Sequence, residues 1–88
     1  MSDDQPMEAA DLRRLRWRCR RGLLENDLFV DRFFGRYADS LSVRQGKALT
    51  ALMNLADNDL LDLVLGRQSL QGELDHPDVH EVLTMLQS

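Results

Sequence analysis

The sequence lacks the features that mark secreted and membrane proteins. It contains one cysteine, Cys19, so an internal disulfide framework is excluded, and a single thiol is typical of a reducing compartment. No apolar run approaches the roughly 18 residues that a membrane-spanning helix needs. The N-terminus is acidic and polar, without the basic start and apolar stretch of a secretory signal. We therefore expect a cytoplasmic protein with no membrane insertion.

Motifs of catalysis and tight ligand binding are also missing. The sequence has no glycine-rich phosphate loop and no Ser-His-Asp or Cys-His arrangement. His76 and His80 have a spacing that can hold a metal, but Pro77 favours a helix start between them and no cysteine lies near. We expect structural or solvent-facing histidines, no catalytic residue, no metal site and no tightly bound cofactor.

Two other groups of residues have simpler structural explanations. Arginine neighbours could make the Cys19 thiol nucleophilic, but its position on an apolar stripe favours a buried structural role. Asp57, Asp59 and Asp62 lack the central glycine and the terminal glutamate of a calcium loop. Helix capping and a solvated acidic face explain these acids better.

Charge is distributed unevenly along the chain. The net charge is −4, yet six arginines and no acid occur within nine positions. They are Arg13, Arg14, Arg16, Arg18, Arg20 and Arg21. Residues 57–88 contain seven acids against Arg67 alone. The molecule should therefore have a basic and an acidic side, a pattern that can orient a partner.

Apolar spacing predicts an all-α fold, a compact bundle of about five short helices. No run of alternating β-branched residues favours a strand. Residues 1–6 are predicted to form a flexible N-terminal tail, and 7–88 a single helical domain, because 88 residues can close only one core.

The first helix has its apolar stripe at Leu12, Leu15 and Cys19, spaced i, i+3 and i+7. At about 100° per residue, Trp17 points away from this stripe, onto the side that the arginines occupy. Gly22 is placed where a left-handed residue would end the helix.

Local signals place the other helices. Ser42 and Gln45 form a capping box, Asp57 is predicted as an N-cap, Gly66 as a helix stop and Pro77 as a first helical residue. The predicted core faces contain Leu24, Leu28, Phe29, Phe33, Phe34 and Tyr37 in the second helix, Ala48, Leu49, Leu52, Met53 and Ala56 in the third, Leu60, Leu61, Val64 and Leu65 in the fourth, and Val79, Val82, Leu83 and Leu86 in the fifth.

The candidate site is the segment Arg21-Gly22-Leu23-Leu24-Glu25 with its neighbours. A helix–helix corner explains the glycine, but it does not require Trp17, several arginines and two carboxylates to be close in sequence. Tryptophan together with arginine is a common composition for the anchor of a protein interface. A different function remains open, because an arginine-rich helix also suits a nucleic-acid-binding or regulatory module. Against it, the whole chain is acidic and no recognition-helix motif accompanies the arginines.

This segment resembles the succinate dehydrogenase flavinylation factors, also called the RGxxE or SdhE family. The match extends upstream through Trp17, Cys19 and Arg20 and downstream through Asp27. It continues at Phe34, Tyr37, Leu41-Ser42, Leu52-Met53 and Asp57-Asn58-Asp59-Leu60. Departures from the usual pattern are Asn26 in place of leucine, Leu63 in place of tryptophan and Gln45 in place of glutamate.

The resemblance implies a helical, non-enzymatic assembly factor. Members bind the flavoprotein subunit of succinate dehydrogenase, and in bacteria often that of fumarate reductase, and they promote covalent attachment of FAD to it. FAD would be attached to the partner and not held tightly by this chain, and no nucleic-acid partner is expected. Carried over residue by residue, the partner-binding positions are Trp17, Arg20, Arg21, Gly22, Glu25 and Asp27.

Overall fold

The computed structural model describes residues 5–19 and 24–87, with all of their side chains except those of 24–26. These residues form five α-helices, two short 3-10 turns and no strand. The helices are α1 (Ala9–Arg18), α2 (Leu24–Tyr37), α3 (Val43–Met53), α4 (Asp57–Val64) and α5 (Pro77–Gln87), and the turns are Ala38–Ser40 and Gly72–Leu74. The Cα radius of gyration, 12.2 Å, is close to the ~12 Å of a compact chain of this length. The predicted all-α bundle is confirmed.

The core is built from the inner faces of α2, α3, α4 and α5, and α3 packs most extensively against α5. Phe33 and Phe34 of α2 are almost fully buried and meet edge to face, with ring centroids 5.3 Å apart. The aliphatic side chains buried with them include Leu49, Leu52, Leu60, Val82 and Leu86. Because each such side chain contributes roughly 1.5–3 kcal/mol on burial, this shared centre holds the four helices together.

The start of α3 is fixed by side-chain hydrogen bonds. The Gln45 backbone N–H donates to Ser42 Oγ at 3.1 Å, and the Ser42 backbone N–H donates to Gln45 Oε1 at 3.0 Å. These two bonds are the predicted capping box, which is confirmed. Pro77 begins α5, also as predicted. Its missing N–H costs nothing there, since a first-turn N–H has no partner within the helix.

The end of α4 depends on Gly66, which has a φ of 78°. Its N–H donates to the carbonyl of Leu63 at 3.1 Å, and the N–H of Arg67 donates to the carbonyl of Asp62 at 2.8 Å. This pair of bonds is a Schellman motif, which satisfies the last carbonyls of a helix and favours glycine at the left-handed position. The predicted helix stop is therefore confirmed.

The fourth helix differs from the prediction at both ends. Its N-cap is Ala56, which makes no side-chain cap bond, and Asp57 is the first helical residue, where a carboxylate still suits the helix dipole. Leu65 is 47% exposed, so its predicted inward position is wrong. Leu63 is buried instead, because it shares one helix face with the buried Leu60.

The end of the predicted tail is held by backbone hydrogen bonds. Pro6 forms an isolated antiparallel bridge with the N-cap residue of α3. The N–H of Val43 donates to the carbonyl of Gln5 at 2.9 Å, and the N–H of Met7 donates to the carbonyl of Leu41 at 3.0 Å. Proline is suitable at the bridge because neither bond needs its N–H. These two residues differ from the predicted flexible tail, whose first four residues lie outside the described part.

The bridge brings Met7 against α3 at Gly46, which is buried. A Cβ atom at Gly46 would be 2.6 Å from Met7 Sδ and 3.2 Å from Met7 Cε. By helix propensity alone, a glycine inside a helix would be expected only to weaken α3 slightly. In the structure, the thioether of Met7 occupies the space that a side chain at Gly46 would fill.

We expect Ser42→Ala to lower the free energy of unfolding by about 1 kcal/mol, because α3 loses its N-cap acceptor. For a domain of this size, that corresponds to a fall in Tm of roughly 4–8 °C in a thermal melt. Ser40→Ala is the matched control, since the exposed Ser40 hydroxyl makes only a 3.3 Å bond to the carbonyl of Tyr37. Equal losses for the two variants would contradict the capping role.

Gly46→Ala and Met7→Ala form a second test. In the Met7→Ala background, Gly46→Ala should stabilise the protein by roughly 1 kcal/mol, since alanine is the better helix former. In the wild type the added methyl must displace the Met7 thioether, so most of this gain should be lost. Urea unfolding of the four proteins gives the coupling free energy. Additive effects would show that Met7 does not press on Gly46.

Candidate functional site

Helix α1 is attached to the core along one stripe. Leu15 is 6% exposed, Cys19 directly after the helix is fully buried, and Leu12 packs against the core from its edge. The backbone N–H of Cys19 donates to the carbonyl of Leu15 at 3.0 Å, which keeps Cys19 in line with the helix. This is the predicted apolar stripe, and the burial of Cys19 supports its structural role.

The rest of the surface of α1 bears the tryptophan and the arginines. The side chain of Trp17 is 68% exposed. It lies about 200° around the helix from both Leu15 and Cys19, so it cannot reach the core when they are buried. The exposed arginines of the same helix are Arg13, Arg14, Arg16 and Arg18. The predicted outward position of Trp17 is confirmed.

Two of these arginines have contacts within the protein. Arg14 Nη1 is 3.7 Å from Asp11 Oδ1, in a pair whose side chains are both largely exposed. The Arg16 guanidinium carbon lies over the ring of Phe34, 5.7 Å from its centroid. Exposed contacts of these kinds contribute on the order of 1 kcal/mol or less. The guanidinium groups therefore stay accessible to a partner.

The predicted partner-binding residues fall only partly within the described residues. Trp17 lies near the end of α1, and Asp27 lies half-buried near the start of α2. The backbone of Glu25 belongs to the first turn of α2, but its side chain is not described. Arg20, Arg21 and Gly22 lie outside the described residues. The assignment of these six residues to a partner surface stays a prediction.

Leu28 is 56% exposed, so its predicted position in the core is wrong. The buried Val30 and Phe34 define the inner face of α2. At about 100° per residue, Leu28 is roughly 160° away from Val30, so these two residues cannot share that face. Because it follows Asp27 directly, Leu28 adds an apolar side chain to the candidate site. A helical wheel drawn from Val30 would have identified it.

Neither a metal centre nor a membrane-spanning helix occurs in residues 5–19 and 24–87. His80 Nε2 is 2.7 Å from Asp75 Oδ1, and His76 Nδ1 accepts a hydrogen bond from the backbone N–H of Asp78 at 3.1 Å. Both histidine side chains are more than half exposed. They face solvent around the start of α5, as predicted.

Comparison with known proteins points to one family. The sequence model of the family described as the flavinator of succinate dehydrogenase matches residues 13–88. A relative from Ralstonia nicotianae, named FAD assembly factor SdhE, is 56% identical over 75 residues, covering 85% of this chain and 79% of the relative. Proteins of the same name come from Idiomarina loihiensis (40% over 63 residues, 72% of this chain and 70% of the relative) and Legionella pneumophila strain Lens (35% over 68 residues, 77% and 86%). No solved structure matches the chain.

These similarities extend far beyond the short segment around Gly22. The family match begins in α1 and continues through α5, so it covers the whole bundle and not one corner of it. Each of the three relatives is at least 35% identical over more than two thirds of the chain. The chain therefore belongs to the family of flavinators of succinate dehydrogenase.

Proposed function

We propose that the chain is an assembly factor that binds the flavoprotein subunit of succinate dehydrogenase and promotes covalent attachment of FAD to it. The observation that carries the proposal is the position of Trp17. Its side chain is 68% exposed near the end of an arginine-rich helix, four residues before Arg21, the first residue of the motif on which the family resemblance rests. A large exposed aromatic beside arginines has the composition of an interface hot spot.

The proposed partner surface combines apolar and charged contacts. It contains the predicted residues Trp17, Arg20, Arg21, Gly22, Glu25 and Asp27, with Leu28 beside them. The indole of Trp17 and the side chain of Leu28 would supply apolar area. The arginines and carboxylates would form charge-assisted hydrogen bonds, which are directional and fix the orientation of the partner.

The proposed role is not catalytic. Covalent attachment of FAD requires a bound flavin and a nucleophile, and the flavoprotein subunit supplies both. A small domain can raise the rate by favouring the conformation of the partner in which the two are aligned. In this proposal the chain itself binds FAD weakly or not at all, and the flavoprotein subunit of fumarate reductase is a second client.

The proposal also includes a cytoplasmic location, because a single buried cysteine, which cannot form an internal disulfide, suits a reducing compartment. The names of the relatives favour assembly over nucleic-acid binding.

Trp17→Ala tests the proposed anchor. We expect it to weaken binding of the apo flavoprotein subunit by roughly 30-fold, the effect of losing an interface hot spot of about 2 kcal/mol. The melting temperature should change little, since the side chain is mostly exposed. Leu65→Ala is the control, because Leu65 is also a large exposed apolar residue but lies at the end of α4. Isothermal titration calorimetry measures the affinity of each variant for the flavoprotein subunit. If Trp17→Ala and Leu65→Ala bound equally well, Trp17 would not be part of the interface.

Coexpression with the flavoprotein subunit tests the function itself, in a host that lacks its own factor. Covalent flavin, read as in-gel fluorescence after denaturation, should rise with the wild-type chain and stay at background with Gly22→Arg, which puts a bulky cation in the motif. Glu25→Ala should lower the yield without lowering the melting temperature. No rise with the wild type would overturn the proposed function.

A further inference from the structure

A groove of about 270 Å³ lies between α1 and α3, on the side of α1 next to its buried stripe. Its floor is formed by Met7, Leu15 and Gly46, which are apolar and buried or half-buried. The floor exists because Gly46 has no side chain. The Met7 thioether occupies the position that a Cβ atom would otherwise take.

The rim of this groove is basic. It bears Arg14 and Arg18 from α1 and Lys47 from α3, all three exposed. Arg14 and Arg18 are one helical turn apart, so their side chains emerge on the same side of α1. Asp11 is the one acid among the lining residues, and it lies 3.7 Å from Arg14. The groove therefore combines a net positive rim with an apolar floor.

We propose that this α1–α3 groove binds an acidic segment of the flavoprotein subunit. Carboxylates of that segment would pair with Arg14, Arg18 and Lys47, and an adjacent aliphatic or methionine side chain would enter the floor beside Met7. The proposal rests on the proposed function, since it identifies a second contact with the same partner. The lining of the groove indicates which side chains the partner segment would contain, whereas the motif around Gly22 gives no such information.

The composition of the groove favours a peptide over a nucleic acid. A polypeptide can carry a carboxylate and an apolar side chain on neighbouring residues, which suits a basic rim around an apolar floor. A phosphate backbone carries charge but no aliphatic side chain that could enter the apolar floor. Charge complementarity and the apolar floor thus select the same kind of ligand.

The groove is also continuous with the candidate partner surface. Arg18 is the last residue of α1 and follows Trp17 directly. Consecutive helical residues are about 100° apart, so Trp17 and Arg18 point to adjacent sides of the same helix turn. A partner that contacts the indole of Trp17 reaches the groove by extending around one side of α1.

Charge reversal on α1 provides a matched pair of variants. Arg14→Glu changes the rim, whereas Arg13→Glu makes the same charge change at an exposed position that does not line the groove. We expect Arg14→Glu to weaken binding of the apo flavoprotein subunit by about tenfold, and Arg13→Glu, which lies outside the groove but one helical turn from Trp17, to weaken it clearly less. Thermal melts check that both variants fold.

Lys47 allows the bound segment to be identified, because it is the only lysine in the sequence. A carbodiimide joins amines to carboxylates in direct contact. Treating the complex should therefore yield a peptide in which Lys47 is linked to an aspartate or glutamate of the flavoprotein subunit. Lys47→Arg should remove this cross-link while keeping the positive charge of the rim, because a guanidinium group is not coupled to carboxylates by a carbodiimide.

The outcomes separate the two proposals. Equal affinities of Arg14→Glu and Arg13→Glu, with no cross-link at Lys47, would overturn the groove while leaving the proposed function intact. Failure of the wild type to bind the flavoprotein subunit would overturn both. Binding of a DNA oligonucleotide that is lost in Arg14→Glu, together with unchanged flavoprotein affinity, would assign the groove to nucleic acid instead.

Discussion

The attachment of α1 to the core along one stripe is the constraint on which the rest of the surface depends. Leu15 and Cys19 are its two buried residues, and the ten-residue helix has no second apolar face. Once they are buried, the helical period turns the other positions toward solvent, where guanidinium groups stay hydrated. The same stripe therefore holds the helix and fixes the outward direction of Trp17.

The hydrophobic core and the proposed partner surface lie in different parts of the molecule. The most fully buried side chains, among them Phe33, Leu49 and Val82, belong to α2, α3 and α5. The exposed tryptophan and four of the ten arginines belong to α1, which contacts this core mainly through α3. A surface of this kind can be optimised for a partner at little cost to the core. This separation matters in a domain of 88 residues, whose net stability is only on the order of 5 kcal/mol.

Local signals explain what could be predicted from the sequence. The capping box at Ser42, the helix stop at Gly66 and the outward position of Trp17 each depend on residues within one or two helical turns. The predicted core position of Leu28 is wrong for a local reason as well, because Leu28 lies outside the apolar face that the helical period gives to α2. The approach of Met7 to Gly46 joins distant parts of the chain. No local pattern contains it, and for that reason the sequence did not reveal the groove beside it.

The uneven distribution of charge can orient a partner on the proposed partner surface. The longest dimension of the molecule is 34 Å, several times the ~8 Å over which salt screens charge under physiological conditions. A partner segment therefore responds to the nearest face and not to the net charge. Near α5 one of the acids is paired with a cation, since Asp78 Oδ1 lies 3.5 Å from Arg44 Nε. Among the described residues, the largest group of exposed arginines lies on α1, so in the proposed complex an acidic segment would be attracted most strongly there and the partner would have a preferred orientation.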